Sequence, residues 1–462
     1  MNKLLLIILN CCLGSLFMGF CLGQMNVIST EVYNVYKIDD TFTKGLMQSL
    51  LTIGGGVGSI SASILMGLFS RRKCLQITDV FGMMAIMIAF MDESRYLLLA
   101  SRFFVGLVLG LNGVLVPVYI NEMSPKEKAG ILGTMNQLFI TLGILTTFLM
   151  SSFSDASLPI PFYKLMLYLP MIPCIIRASA LSTVFKYETP VYCAKHHLNQ
   201  QLHKVVEMIY EEKAEKMYEQ FQQSQKSTER SMTINQLLSS KYRSRLIIGI
   251  SLASLQQLGG INGIMFYSSS IFDQVTGQAA KKVFYLNLIV GFIGVFTALL
   301  ANCNNRVIWK KANSQKYGTL WCCVSLLMLT FVMSNSIGDT SYGSYLIVIC
   351  IFSYLFGFGF SLGPLLFIYL TEILPDLGVS ASSLMNWMSG GLVAQMFPII
   401  ASYDISYCFG IFSIFNFAAY LIIQQKVIET KGLDRESVDK YFENQKFDQM
   451  PYQEVYQEDR FR

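Results

Sequence analysis

The chain has 462 residues, 53% of them hydrophobic and 14% charged, with a formal net charge of +5. Soluble domains carry about 25% charged residues, so the composition excludes a disordered chain, a disulfide-stapled secreted module and an ordinary water-soluble enzyme. Residues 186–245 and 426–462, 97 positions together, hold 33 of the 65 Lys, Arg, Asp and Glu. The rest of the chain is depleted of charge to the degree expected when lipid is the solvent.

Twelve apolar stretches approach the ~20 residues needed to cross a bilayer. They run near 4–25, 46–69, 75–91, 96–119, 130–152, 160–185, 246–272, 283–302, 317–336, 344–370, 378–400 and 404–425. The first follows Lys3 like a signal peptide, but it runs on to Met25 with no small-residue cleavage site, so it is read as a retained helix. The pattern predicts an all-α membrane protein: an amino-terminal bundle of six helices over 1–185, a linker over 186–245, a second bundle over 246–425 and a tail over 426–462. Within the linker, Val205, Val206, Ile209, Met217 and Phe221 predict one amphipathic surface helix from Leu202 to Phe221.

Short loops set orientation. Arg71, Arg72 and Lys73, then Lys126 and Lys128, then Arg306, Lys310 and Lys311, fall on the side of the linker and both termini, while the opposite loops are poorer in Lys and Arg. That side is predicted to be cytoplasmic, in a plasma membrane or an organelle membrane such as the mitochondrial inner membrane, where it would face the matrix.

Most of the 11 cysteines lie inside apolar spans, and all three histidines, His196, His197 and His203, fall in the linker. No metal-ligand spacing and no cluster of nucleophile, base and orienting group is present, so neither an enzyme nor a cofactor is expected. The expected partners are the lipid bilayer and a small neutral solute, with no nucleic acid. Arg177 stands midway along the sixth stretch with no acidic residue of a span as an obvious partner. A position snorkelling to an interface or facing a wet cavity is expected for it.

Tyr119-Ile-Asn-Glu122-Met-Ser-Pro125 ends the fourth stretch, and Tyr369-Leu-Thr-Glu372-Ile-Leu-Pro375 ends the tenth, 250 residues later. Repeated six-helix halves joined by a basic linker are the plan of carriers that bind substrate between the halves, near midplane.

The motifs now resemble those of the sugar porters of the major facilitator superfamily, the group containing the facilitative glucose transporters. Ser101-Arg102-Phe-Phe-Val-Gly106 is similar to the family's entry to helix four. Gly133-Thr-Met-Asn-Gln137 through Gly143 is close to helix five, and Tyr187-Glu188-Thr189-Pro190 to the motif after helix six. Gln256-Gln257-Leu-Gly-Gly260-Ile-Asn262 with Phe266-Tyr267-Ser268 looks like the helix-seven signature. Gly363-Pro364, Asn386-Trp387 and Glu429-Thr-Lys-Gly432 match helices ten and eleven and the tail.

The resemblance implies the major facilitator fold and a sugar site formed by Gln137, Gln256, Gln257, Asn262, Asn386 and Trp387, with Phe367 in place of the family's helix-ten Trp. Neutral amides suit a ligand whose hydroxyls both donate and accept. The resemblance also implies a cytoplasmic gate of Glu122, Glu188, Glu372 and Glu429 with Arg71, Arg72 and Arg102. Proton-coupled relatives carry an Asp in helix one where this chain has Cys21, and no other span offers an evident buried carboxylate, so facilitative transport of a hexose or similar polyol without proton coupling is expected. Several gate arginines are replaced, by Ala129 and Val191 among others, which should favour the inward-facing state. The second reading is a transport-inactive relative held with protein partners as a structural or assembly subunit of a membrane complex.

Overall fold

The computed structural model describes residues 2–154, 159–224, 233–277, 279–307, 311–335, 340–430 and 435–444, and among them all regular structure is helical. Twelve spans alternate across the membrane. Spans 1 to 6 are Asn2–Val35, Thr41–Leu68, Arg71–Ile88, Arg95–Met123, Lys126–Met150 and the pair Phe162–Tyr168 with Met171–Thr183. Spans 7 to 12 are Ser240–Leu258 with Ile261–Thr276, Ala280–Val307, Lys311–Met333, Ser341–Phe360 with Leu362–Ile373, Asp376–Ala401 and Ile405–Lys426. Eleven of them are long and apolar enough to cross a bilayer by composition. The exception is span 3, an 18-residue helix that holds Arg71, Arg72, Lys73 and Asp79.

Helix starts at the membrane edge leave free N–H groups that a side-chain oxygen must meet. Asp40 caps span 2, Ser70 span 3, Thr340 span 10 and Asp404 span 12. Within the first half, spans 2 and 4 approach to backbone contact: a Cβ on Gly54 or Gly58 would strike Phe103 O or Leu107 O, and one on Gly106 or Gly110 would strike Leu51 O or Gly55 O. Small residues at four-residue spacing permit this approach.

Spans 7 and 10 are both broken midway, and each break is stabilised by the other span. Gly260 adopts φ +96° at the span-7 break, a left-handed conformation that favours glycine. The Gly259 carbonyl freed there accepts from Tyr354 Oη of span 10 at 2.9 Å and from Asn416 Nδ2 of span 12 at 3.0 Å. In return, Gln256 Nε2 of span 7 donates to Leu362 O at the span-10 break, at 2.7 Å. Broken helices survive in a bilayer only when neighbours satisfy the freed groups, and here the satisfaction is reciprocal.

The linker forms helices Pro190–Lys195, Asn199–Tyr210, Ala214–Ser224 and Ile234–Leu237. The single helix predicted from Leu202 to Phe221 is in fact two, because Glu211 takes φ 49° and turns the chain through Glu211–Lys213. Its apolar face is buried as expected: Leu202, Val205, Val206 and Ile209 pack with Leu4, Ile7 and Ile8 at the start of span 1. This membrane side is called the linker side below, and the other the far side. A tail helix, Arg435–Asn444, docks on the start of span 7, where Asp439 meets Lys241 at 3.2 Å and Arg245 at 2.5 Å, while the Arg245 guanidinium lies 4.8 Å from the Phe442 ring centroid. These partners hold the Asp439 carboxyl below its ordinary range against the opposing effect of burial. Residues 431–434 and 445–462 of the tail lie outside the described residues.

Candidate functional site: the amide level between the halves

The halves touch along spans 2 and 11, 5 and 8, and 1 and 7. Along span 2 the contact runs from its far-side start to the middle of the helix. Ser49 donates to Gln395 Oε1 at 2.8 Å, Gln395 Nε2 donates to Phe42 O at 3.0 Å, and a Cβ on Gly391 would meet Thr52. Below them, Trp387 lies over Gly55 and Leu384 over Gly56. The same helical face then continues toward the linker side through Ile60 and Ile64, which are 45% and 64% exposed, and Gly67, where a Cβ would meet nothing within 4 Å. Span 5 repeats the pattern: Leu145 and Thr141 pack on Gly291 and Gly294 of span 8, while Gly133 nearer the linker faces open space. Thus the seam is sealed on the far side and open on the linker side.

A buried hydrogen-bond ring completes the seal. Asn26 of span 1 donates to Ser268 of span 7 at 2.6 Å and accepts from the Ser269 N–H at 2.9 Å; Ser268 donates to Asn287 of span 8 at 2.7 Å, and Asn287 donates to Ser269 Oγ at 2.9 Å. Asn26, Gln395 and Asn287 were not singled out by the motifs; the only sign of them in the sequence is an amide placed among apolar neighbours.

The predicted sugar-site amides meet just where this seal ends. Asn386 Nδ2 donates to Gln256 Oε1 at 2.7 Å and to Ala253 O at 2.8 Å, and its Oδ1 accepts from Gln257 Nε2 at 3.0 Å. Every polar atom of Gln256 and Asn386 is therefore engaged within the protein. Gln257 Oε1 is different: it is buried and has no donor. It and Asn262 Nδ2 both crowd Gly390, where a Cβ would lie 3.4 and 2.8 Å from them. Trp387 serves the span 2 contact. Gln137 is half-buried on span 5, and Phe367 is exposed on the second segment of span 10. Neither is bonded into the amide cluster.

On the linker side the four predicted glutamates occupy two equivalent arrangements. In the first half, Thr189 Oγ1 donates to Glu122 at 2.5 Å, Glu188 accepts from the Arg72 N–H at 3.1 Å, and Tyr119 Oη donates to Tyr187 O at 3.4 Å. In the second, Thr430 Oγ1 donates to Glu372 at 2.5 Å, Glu429 accepts from the Ala312 N–H at 3.2 Å, and Tyr369 Oη accepts from the Ile428 N–H at 3.4 Å. In the first half Arg71 Nε and Nη2 also reach Glu122, at 3.1 Å, so a guanidinium joins the Thr189 hydroxyl on that carboxylate. Burial pushes the Glu188 carboxyl up from its ordinary range, against the hydrogen bonds it accepts.

Three expectations need correction. Arg102 is no partner of these glutamates: it lies near the far-side start of span 4, roughly 30 Å along the helix from Glu122 at 1.5 Å per residue. There it is 2% exposed and donates to Met47 O, Gln48 and Gln24, beside a cavity of about 10 Å³ also lined by Cys21 and Ser101. Arg177 neither snorkels nor faces a cavity. It is fully buried, and its Nη2 meets Asp79 Oδ1 at 2.6 Å and Asn112 Oδ1 at 2.8 Å, with Nε 3.0 Å from both Asp79 oxygens. Asp79, 1% exposed, is thus a buried carboxylate within a span, contrary to the expectation that no span offers one. Its proximity to the charged start of span 3 masked it. Gly14 makes room for the pair, since a Cβ there would lie 1.8 Å from Arg177 Nη1.

With this geometry in hand, comparison places the chain among known proteins. The profile of a family described as "Sugar (and other) transporter" matches residues 8–442. The glucose transporter GlcP of Staphylococcus epidermidis is 28% identical over 451 residues, covering 95% of this chain and 97% of that one. Hexose transporter 1 of Plasmodium falciparum is 26% identical over 461 residues, covering 92% and 90%. Among solved structures, the inward open conformation of the xylose transporter XylE from E. coli superposes with a TM-score of 0.78 at 20% identity, covering 95% of this chain and 99% of that one.

Proposed function

This chain belongs to the sugar (and other) transporter family, a family of carriers and not enzymes, and from that premise we propose that it moves a hexose or similar small polyol across its membrane by alternating access, without proton coupling. The observation that carries the reading is the position of the amide cluster. It lies where the sealed far-side seam gives way to the open linker side, the level at which a carrier must hold its solute. Gln257 Oε1 offers a buried acceptor with no donor, and a buried unmet acceptor is costly; a sugar hydroxyl supplies the missing proton. Asn262, Gln137 and Trp387 are proposed to complete the site, with Phe367 as an apolar surface beside it.

The bodies that rock are proposed to be 1–185 and 246–425, joined by 186–245 and followed by the tail 426–462. The linker side is proposed to be cytoplasmic on the strength of its Lys and Arg. Absence of coupling is supported by Cys21, a thiol, beside Arg102, whose donors end on uncharged oxygens. Asp79, the buried carboxylate of span 3, is gripped by Arg177 on both oxygens and so is not free to cycle a proton. XylE is a proton:xylose symporter, but at 20% identity the likeness bears on fold alone.

The test is uptake of radiolabelled D-glucose, D-xylose and myo-inositol by the purified protein in proteoliposomes. The proposal expects saturable downhill uptake of at least one of them, unaltered by an imposed pH gradient or a protonophore. Uptake that requires the gradient would contradict the uncoupled mechanism, and no uptake across hexoses, pentoses and polyols would contradict transport.

A further inference from the structure

A pocket of about 420 Å³ opens on the linker side, away from the amide level, between the loop joining spans 2 and 3 and the first linker helices. Arg72, Lys73 and Lys186 line it, with Ser70, Glu188, Tyr192 and Gln201, and Leu68, Phe69 and Leu198 form an apolar lip. Three cations thus face one carboxylate. That carboxylate accepts from the N–H groups of Arg72 and Thr189, and its single charge offsets only part of the three cations around it. Arg72 Nη1 reaches Leu181 O only at 3.4 Å, and Arg72 Nε is buried without any acceptor. Because Ser70 and Glu188 already occupy the first N–H groups of span 3, an anion entering the pocket would be held by side chains and not by the helix terminus.

A buried guanidinium N–H without an acceptor is expensive to leave unmet. Arg with flanking Lys is the usual cradle for phosphate, because the planar fork grips two oxygens while the ammonium groups add charge. We propose that this pocket binds a phosphate group borne by a small polar moiety and thereby ties the span 2–3 loop to the linker. The two sources of that chemistry are a soluble phosphate ester and the headgroup of an anionic lipid whose chains lie along the exposed Leu68 and Phe69. This site is independent of the transport reading and can be tested without flux.

The full chain in phosphatidylcholine nanodiscs is titrated calorimetrically with inorganic phosphate and glycerol 3-phosphate. In parallel, phosphatidylglycerol retained from mixed phosphatidylcholine micelles is counted by native mass spectrometry. The variant is Lys73→Gln with Lys186→Gln, both exposed positions, and Lys281→Gln with Lys282→Gln on the far side is the control. Each lost cation should weaken binding roughly fivefold. Soluble binding that weakens in the variant and not in the control assigns a phosphate ester. Phosphatidylglycerol retention that falls in the variant alone, without soluble binding, assigns a headgroup. No binding in either arm, or equal binding by variant and control, overturns the proposal.

Discussion

The two halves share one architecture but are held together by different chemistry. The first half is braced by ions: Arg177 with Asp79 in its core, and Arg71 on Glu122 at its linker-side end. In the second half the two broken helices are joined by amides and backbone carbonyls, and the ion pairs of Arg245 and Lys241 with Asp439 lie at its linker-side edge, where the tail docks. Ion pairs hold a shape but tolerate little rearrangement once desolvated. Amides and glycine breaks offer donors and acceptors that can exchange partners. The difference suggests a division of labour in which the first half moves as a rigid body and the second carries the adaptable part of the site.

The largest expected effect comes from breaking the ionic core. Asp79→Asn or Arg177→Ala leaves an uncompensated buried charge or a buried hole, and either should cost about 3–5 kcal/mol, read as loss of monodisperse protein in detergent size-exclusion profiles. Replacing both together, Asp79→Leu with Arg177→Met, should recover most of that loss. If the double variant is as poor as the singles, the pair does more than brace. Next, Glu122→Gln should weaken the grip of Arg71 and lower the melting temperature, since a hydrogen bond to a charged group is worth about 1.5–3 kcal/mol. An unchanged melting temperature would show that this contact does not brace the first half.

Asn26→Ala removes two cross-half hydrogen bonds from the far-side seal. It should broaden spin-label distances between the far-side ends of spans 1 and 7 while leaving those within the first half unchanged. The smallest effect is expected at the tail. Asp439 titrates lower when docked than when free, so docking is stabilised above its ordinary value of 3.8 and is lost as pH falls through the docked value. Asp439→Asn should remove that acid dependence, at a cost of about 1 kcal/mol or less for a partly exposed pair.

Much of this fold was legible in the chain itself. Apolar length gave the spans, and the repeat of Glu122 and Glu372 gave the two halves, because lipid imposes both constraints on composition directly. The partner of Arg177 was not legible. Asp79 sits eight residues into a span that opens with three cations, and which helix face meets span 6 is decided by packing, not by spacing. Of the residues expected at the sugar site, Gln256, Gln257 and Asn386 bond to one another while Gln137 and Phe367 do not join them, and only coordinates separate Gln256 and Asn386, which bond each other and the backbone, from Gln257, which keeps an acceptor free. The far-side ring of Asn26, Ser268 and Asn287 joins three separate spans, so no local pattern announces it.

That separation between neighbouring glutamines supplies the most direct test of the account. Gln256→Ala should unlatch the paired helix breaks and lower stability, whereas Gln257→Ala removes the free acceptor together with one hydrogen bond to Asn386 and should cost less stability. The decisive measurement is initial-rate sugar uptake by Gln257→Ala in proteoliposomes, normalised to folded protein. The account predicts at least a tenfold fall in uptake at sub-saturating sugar, corresponding to about 1.4 kcal/mol of lost ligand interaction. Uptake equal to that of the unaltered chain would place the solute elsewhere and contradict the assignment of the amide level as its binding site.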